Sequence, residues 1–358
     1  MSEAPHVIDL RSDTISLPTD AMRQVMATAE VGDDVYGEDP TCQKLEKKAA
    51  ELLGKEAAIF VCSGTMGNLL ACMVYGAQPM TDIVIGQKAH VMRYERGGIN
   101  LLAHASTYQI PNDEDGTLPL ESIREVLSRP PDIHRAQARV VFLENTINGH
   151  VLPHAYVQQV RQICDEVTTE TVKLHCDGAR LWNAAVAQRL TMKEVSAPFD
   201  SVQCCLSKGL GAPIGGFLAG TREFVAMARQ FRKMIGGGMR QAGIVAAAGI
   251  YAMDHHYARL QEDHDNAKLM ATLLQEGLAA FSKKLTIFPP ETNIFFMEFA
   301  DPAVKERFYQ ELTNKRVRVS SLSAKGVRIV LNINVSTEDA KLASKVIIDV
   351  LQSILPAQ

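Results

Sequence analysis

Apolar runs recur along this chain, and small or polar residues close each one. Ala57 to Cys62, Asp82 to Gly86, Arg139 to Leu143, Val172 to Cys176 and Val202 to Leu206 read as buried strands. Between them the spacing of apolar positions turns helical. Pro18 opens a helix through about Glu30. Asp39 caps the next helix, with Pro40 at its first position. Leu45, Ala49, Leu52 and Leu53 share one face of it, and Gly54 ends it. Further helices read over Leu69 to Tyr75, His154 to Val167 and Thr221 to Met234. A long helical stretch then runs from Ala242 to Phe281, interrupted near Asp254-His255-His256. Strands alternating with helices predict an α/β fold, a mainly parallel central sheet flanked by helices on both faces.

The texture changes after Lys284. Short strands (Leu285–Phe288, Ile294–Phe299, Val317–Val319, Val327–Leu331) alternate with helices (Pro302–Lys315, Thr337–Ile354). This predicts a smaller C-terminal α+β domain over 261–358, after an N-terminal arm and large domain over 1–260. In the arm, polar residues crowd the segment Asp9-Leu10-Arg11-Ser12-Asp13-Thr14, which fits a turn or a ligand-facing Ser12. Arg328 alternates with Val327 and Ile329, so it faces away from them and needs an anion or an edge.

Composition removes several function classes. The 358 residues are 46% hydrophobic and 22% charged, enough for two cores. A net charge of −4 gives no bias toward nucleic acid or a membrane surface. No run approaches the roughly 20 apolar residues of a membrane span. The first residues show no signal or transit pattern. Seven scattered cysteines without a C-x-x-C pair fit free thiols in a reducing, cytoplasmic setting. His255, His256 and His264 lack metal-ligand spacing, so no metal is expected.

The candidate chemistry lies where the apolar runs end. Ser63-Gly64-Thr65 opens a helix whose free amides and positive end suit a phosphate, although a capped helix without a ligand reads the same way. Asp177-Gly178-Ala179-Arg180 and Ser207-Lys208-Gly209 close two further runs, and His90 and Glu144-Asn145 follow two more. In a parallel sheet all of these gather at the carboxyl edge, where such folds bind ligands. A lysine amine, a carboxylate and a phosphate-binding turn together make a pyridoxal 5′-phosphate (PLP) constellation. Lys233 and Arg240 bracket the glycine loop Gly236-Gly237-Gly238, which suits an anion or a hinge.

With these residues assembled, the chain resembles the L-threonine aldolase family of fold-type-I PLP enzymes. The resemblance spans seven segments in order: the arm motif above, Gly32-Asp33-Asp34-Val35-Tyr36-Gly37, Ser63-Gly64-Thr65, Glu144-Asn145-Thr146, Asp177-Gly178-Ala179-Arg180, Ser207-Lys208-Gly209-Leu210-Gly211 and Gly236-Gly237-Gly238-Met239-Arg240-Gln241. It implies that Lys208 carries the cofactor as a Schiff base, that Asp177 pairs with the pyridine nitrogen, and that His90 stacks on the ring. It implies that Gly64, Thr65, Met66 and Ser207 hold the cofactor on its phosphate side, and that Arg180 sits by its phenolic oxygen. Ser12 and Arg328 are implied for the substrate carboxylate, with Arg180, Tyr36 and Ile147 also on the substrate side. Lys233 and Arg240 are implied to reach a neighbouring subunit's site in a homotetramer.

The implied reaction is retro-aldol Cα–Cβ cleavage of L-threonine or L-allo-threonine to glycine and an aldehyde, the work of a PLP-dependent carbon–carbon lyase. One departure stands out. The family usually reads Glu-Asn-Thr-His-Asn-Gly where this chain has Glu144-Asn145-Thr146-Ile147-Asn148-Gly149. Isoleucine neither accepts a proton nor donates a hydrogen bond. His90 or water could then serve as base, a bulkier β-substituent could be preferred, or another PLP reaction could replace the aldol step. His150, three positions on, is expected to point elsewhere. Arg93 and Arg96 add unexpected positive charge after His90. The competing readings are β-elimination, transamination or racemisation on the same scaffold, and a non-catalytic PLP-binding homologue.

Overall fold

A computed structural model of the chain describes residues 6–167 and 171–355. The first strand, β1 (Ile8–Asp9), belongs to the arm. The central sheet holds β2 (Ala57–Val61), β3 (Thr81–Gly86), β4 (Ser106–Ile110), β5 (Gln137–Glu144), β6 (Lys173–Gly178), β7 (Ser201–Cys205) and β8 (Gly216–Gly220). Their spatial order is β2-β8-β7-β6-β5-β3-β4. All run parallel except β8, which pairs antiparallel with both β2 and β7. The small domain adds β9 (Leu285–Ile287), β10 (Ile294–Phe299), β11 (Val317–Arg318), β12 (Ser320–Ser321) and β13 (Gly326–Val330).

The central strands are buried on both faces, as continuous apolar runs require. Along β5, Val141 and Leu143 enter one core while Val140 and Phe142 enter the other. Ala58 and Phe60 of β2 split from Ile59 and Val61 in the same way. The two-residue period of a strand thus feeds two helical layers. The helix Pro40–Leu53 follows its sequence signals: Asp39 accepts from Cys42 N at 2.9 Å, and Gly54 closes the helix with φ +63°. Asp39 also accepts from Gly243 N at 2.8 Å, which anchors the helix Gly243–His255.

A third core lies in the C-terminal region, around Phe295, Met297, Phe308, Ile329 and Ile347. The arm joins this core through Ile8 and Leu10. β1 pairs parallel with β11, and Val330 N donates to Leu10 O at 2.9 Å. The next residues return to the large domain, where Asp13 meets Arg180. The helix Leu260–Gly277 spans the two regions: Leu260 packs in the large core, and Ala267, Met270 and Leu274 in the small one.

Candidate active site

The carboxyl edge of the central sheet collects the residues that follow β2, β3, β5, β6 and β7. After β2, Ser63 caps the helix Gly64–Gly76 and accepts from Met66 N at 3.1 Å. Gly64 is needed there, because a Cβ would come within 2.5 Å of Cys205 Sγ on β7. Thr65 is exposed, and Met66 packs toward Gly237 of the glycine loop.

One turn further along this helix, buried Asn68 donates to Asp177 Oδ2 at 2.9 Å and to Glu95 Oε1 at 3.0 Å. Glu95 in turn meets His90 Nδ1 at 2.9 Å. Asp177 also accepts from Ala179 N at 3.1 Å. His90 N donates to Glu144 Oε2 at 2.6 Å. His90, Glu95 and Asp177 bring their polar atoms within 4.8 Å of one another. So many carboxylates in one place have an electrostatic consequence. Burial first, and then the Asp177 charge, push the Glu144 carboxyl up to about 8. Burial likewise raises Glu95, against the pull of its hydrogen bond to His90. His90 is raised chiefly by that same bond. Lys208 follows β7 at the same edge, and its charge is among the influences that lower Asp13 and Glu144.

A cavity of about 610 Å³ opens beside the cluster. His90, Glu144, Arg180 and Ile147 line it from the large domain, and Phe296, Leu322 and Arg328 from the small one. The two arginines are in different states. Arg180 makes two parallel bonds to Asp13, Nε to Oδ2 at 2.8 Å and Nη2 to Oδ1 at 2.7 Å. Its charge is consumed in a buried pair, and Asp13 is held below the usual carboxylate range although burial alone would raise it. Arg328 has no acidic partner among the described residues. Its Nη2 donates to Arg11 O at 3.3 Å, and its buried Nε has no partner. Burial lowers its pKa, and the Arg180 charge adds to that. Such a guanidinium is built to receive a carboxylate.

Other residues singled out from sequence lie elsewhere. Ser12 is engaged by Thr14, accepting from its N at 3.2 Å and its Oγ1 at 2.9 Å. Tyr36, Lys233 and Arg240 do not line the cavity. Tyr36 is 76% exposed under the Arg240 guanidinium, and Arg240 bonds Asp33 at 2.9 Å. Arg93 lines the cavity, with its Nε donating to Gln87 O at 2.9 Å, whereas Arg96 is exposed at a φ of +56°. The pairing partners Asn68 and Glu95 carried little sequence signal, and Asp13 stood in the arm motif without a role of its own. Asn68 sits in an apolar helix, and Glu95 looked like one more charge in a charged loop. His150 does line the cavity, contrary to expectation.

The residues at the edge fit PLP: a lysine, a buried carboxylate, a helix start with close backbone approach, and an unpaired arginine beyond. Comparison with known proteins agrees. Residues 9–301 match the beta-eliminating lyase family. The chain is 43% identical to the low specificity L-threonine aldolase of Escherichia coli K12, over 93% of this chain and 96% of that protein. It is 39% identical to low-specificity L-threonine aldolase 1 of Arabidopsis thaliana, over 93% of each. The structure of Leishmania major threonine aldolase superposes with a TM-score of 0.79 at 20% identity, covering 96% of this chain and 99% of that one. The chain belongs to the beta-eliminating lyase family and, within it, to the PLP-dependent L-threonine aldolases of fold type I.

Proposed function

We propose that the protein cleaves L-threonine and L-allo-threonine, and related β-hydroxy-α-amino acids, to glycine and an aldehyde. The observation that carries this reading is the state of Arg328. Among the described residues it is a cation without an acidic partner, in one cavity with His90, Glu144 and an Arg180 already neutralised by Asp13. A substrate carboxylate that pairs with Arg328 fixes the amino acid at one end and sets which Cα bond faces the cofactor. Lys208 would hold PLP, Asp177 would face its ring nitrogen, His90 its ring, and Gly64, Thr65, Met66 and Ser207 its phosphate. When bound, PLP supplies a sink for the electron pair released at Cα. Asn68 and Glu95 keep Asp177 and His90 in place for that work.

Tyr36, Lys233 and Arg240 are exposed and lie outside the cavity. The resemblance implies that they reach a neighbouring subunit's site in a homotetramer, and their exposure is compatible with that role. A cytoplasmic location fits the seven unpaired cysteines. Among the described residues no helix is long and apolar enough to cross a membrane.

The test is PLP-loaded protein given L-threonine or L-allo-threonine, with aldehyde and glycine followed together. Equimolar release is expected, and Lys208→Ala should bring it below detection. Cleavage by Lys208→Ala at the wild-type rate would refute the reading.

A further inference from the structure

The segment Ile147-Asn148-Gly149-His150 is a tight turn. Ile147 N donates to His150 O at 3.0 Å, and His150 N donates back to Ile147 O at 2.9 Å. The two central residues take positive φ, +49° at Asn148 and +89° at Gly149, as an Asn-Gly hairpin turn of the primed type requires. Residues that exchange both backbone bonds stand directly opposite, and their side chains share a face. This is why three positions along the chain do not separate Ile147 from His150. A Cβ built on Gly116 finds both of them, Ile147 Cγ2 at 2.2 Å and His150 Cβ at 3.8 Å. Both line the cavity with His90, Arg180 and Arg328.

The two residues differ in what they offer. Ile147 is 3% exposed and apolar. His150 is half-buried, and its Nδ1 lies 2.8 Å from Glu291 Oε1. The same carboxylate accepts from Val151 N at 2.8 Å through Oε2. Thr292 Oγ1 donates to Gly149 O at 3.0 Å, so the segment leading into β10 braces the turn as well. A carboxylate only accepts, so Nδ1 carries a proton and the neutral ring keeps Nε2 as its acceptor. Asp115 and Lys88 act on the ring from neighbouring loops, Asp115 raising and Lys88 lowering its pKa, and Glu114 lines the same cavity.

We propose that His150, held through Nδ1 by Glu291, receives the substrate's β-hydroxyl proton in this chain, on the wall where Ile147 has no group to do so. The assignment rests on the aldolase reading above. In the step, the hydroxyl O–H bond breaks and its proton passes to His150 Nε2. The O–H electron pair becomes the second bond of the aldehyde carbonyl. The Cα–Cβ bond breaks and its pair stays with the α-carbon, which takes up a proton to give glycine. Glu291 balances the imidazolium until it returns its proton to water.

The experiment uses the PLP-loaded enzyme with L-threonine and L-allo-threonine. His150→Gln keeps a partner for Glu291 but no base. Its kcat/KM should fall by roughly 10²-fold or more, with thermal stability and cofactor absorbance unchanged. Ile147→His in that background should restore part of the loss. Glu291→Gln tests the brace without touching the substrate. Glu291 is the first cause of the raised His150 pKa, so the acidic limb of kcat/KM should move to lower pH, as should the His150 titration followed by imidazole ¹⁵N NMR. Wild-type kcat/KM in His150→Gln, or an acidic limb that Glu291→Gln leaves in place, would overturn the assignment while the aldolase reading stands. Absence of cleavage by the wild-type enzyme would overturn both.

Discussion

On the sheet side of the cavity, each polar group is held by a neighbour that is itself held. Asn68 ties Asp177 to Glu95, Glu95 ties His90, and His90 ties Glu144. On the side formed by the Ile147–His150 turn and the small domain the restraints are sparser. Arg328 makes one long bond to a carbonyl, and His150 leans on a Glu291 that is itself 46% exposed. The first wall suits a cofactor of fixed shape, whose electronics depend on groups that do not move. The second suits a substrate that comes and goes and itself completes the charge pairing. Stability is therefore expected to depend on the inner wall and its anchor, and substrate discrimination on the outer one.

The sharpest break in this contrast is Asp13→Asn. Asp13 lies at 0% exposure beneath Arg180, and its removal leaves a buried guanidinium unpaired. A loss of about 3–5 kcal/mol is expected, read as a fall in thermal stability. The native pair also has a pH signature. Folding lowers the Asp13 pKa, so its contribution is present above the ordinary 3.8 and is lost as the pH falls through the lower folded value. Asp13→Asn should flatten that acid-side loss.

Arg328→Lys belongs to the outer wall and should leave stability unchanged. It loses the two-pronged match to a carboxylate, so kcat/KM should fall roughly 10–100-fold, chiefly through KM. An unchanged KM would mean that the carboxylate is bound elsewhere. The smallest effect is expected from Glu95→Gln. The amide can still bond both Asn68 and His90, so kcat should change little. The His90 titration should move down, because its bond to Glu95 is the main cause of its raised pKa. Imidazole NMR reads this directly, and an unmoved His90 would show that Asp177 and Glu144 set its charge.

The sequence made the inner wall largely legible. Lys208, Asp177, His90 and the Ser63 turn all follow apolar runs, and a parallel sheet leaves such positions only one edge to share. β8 escaped, because a short segment bounded by Gly216 and Gly220 with no β-branched residue between them carries little strand signal. Asn68 and Glu95 escaped for another reason. A polar residue in an apolar helix and a carboxylate in a charged loop each have an ordinary explanation until their partners are known. His150 was misjudged on local geometry. Counting positions along an extended chain separates it from Ile147, but the Asn-Gly turn folds the count back on itself. Arg328 was legible as a cation in a strand, and its want of an acidic partner was not.

The arm has a bearing on how the molecule comes into being. Ser320 Oγ donates to Arg11 O across 309 residues of sequence, and Asn293 Nδ2 reaches Asp13 Oδ2 across 280. Residues of the arm thus find partners in the small domain, far along the chain. Asp13 sets the state of Arg180 and the small domain supplies Arg328, so the cavity has its full charge pattern only with arm and small domain docked together. Without the docked arm Arg180 is unneutralised, and without the small domain the cavity has no Arg328. Such long-range closure is a slow step, and here the charge pattern of the cavity waits on it.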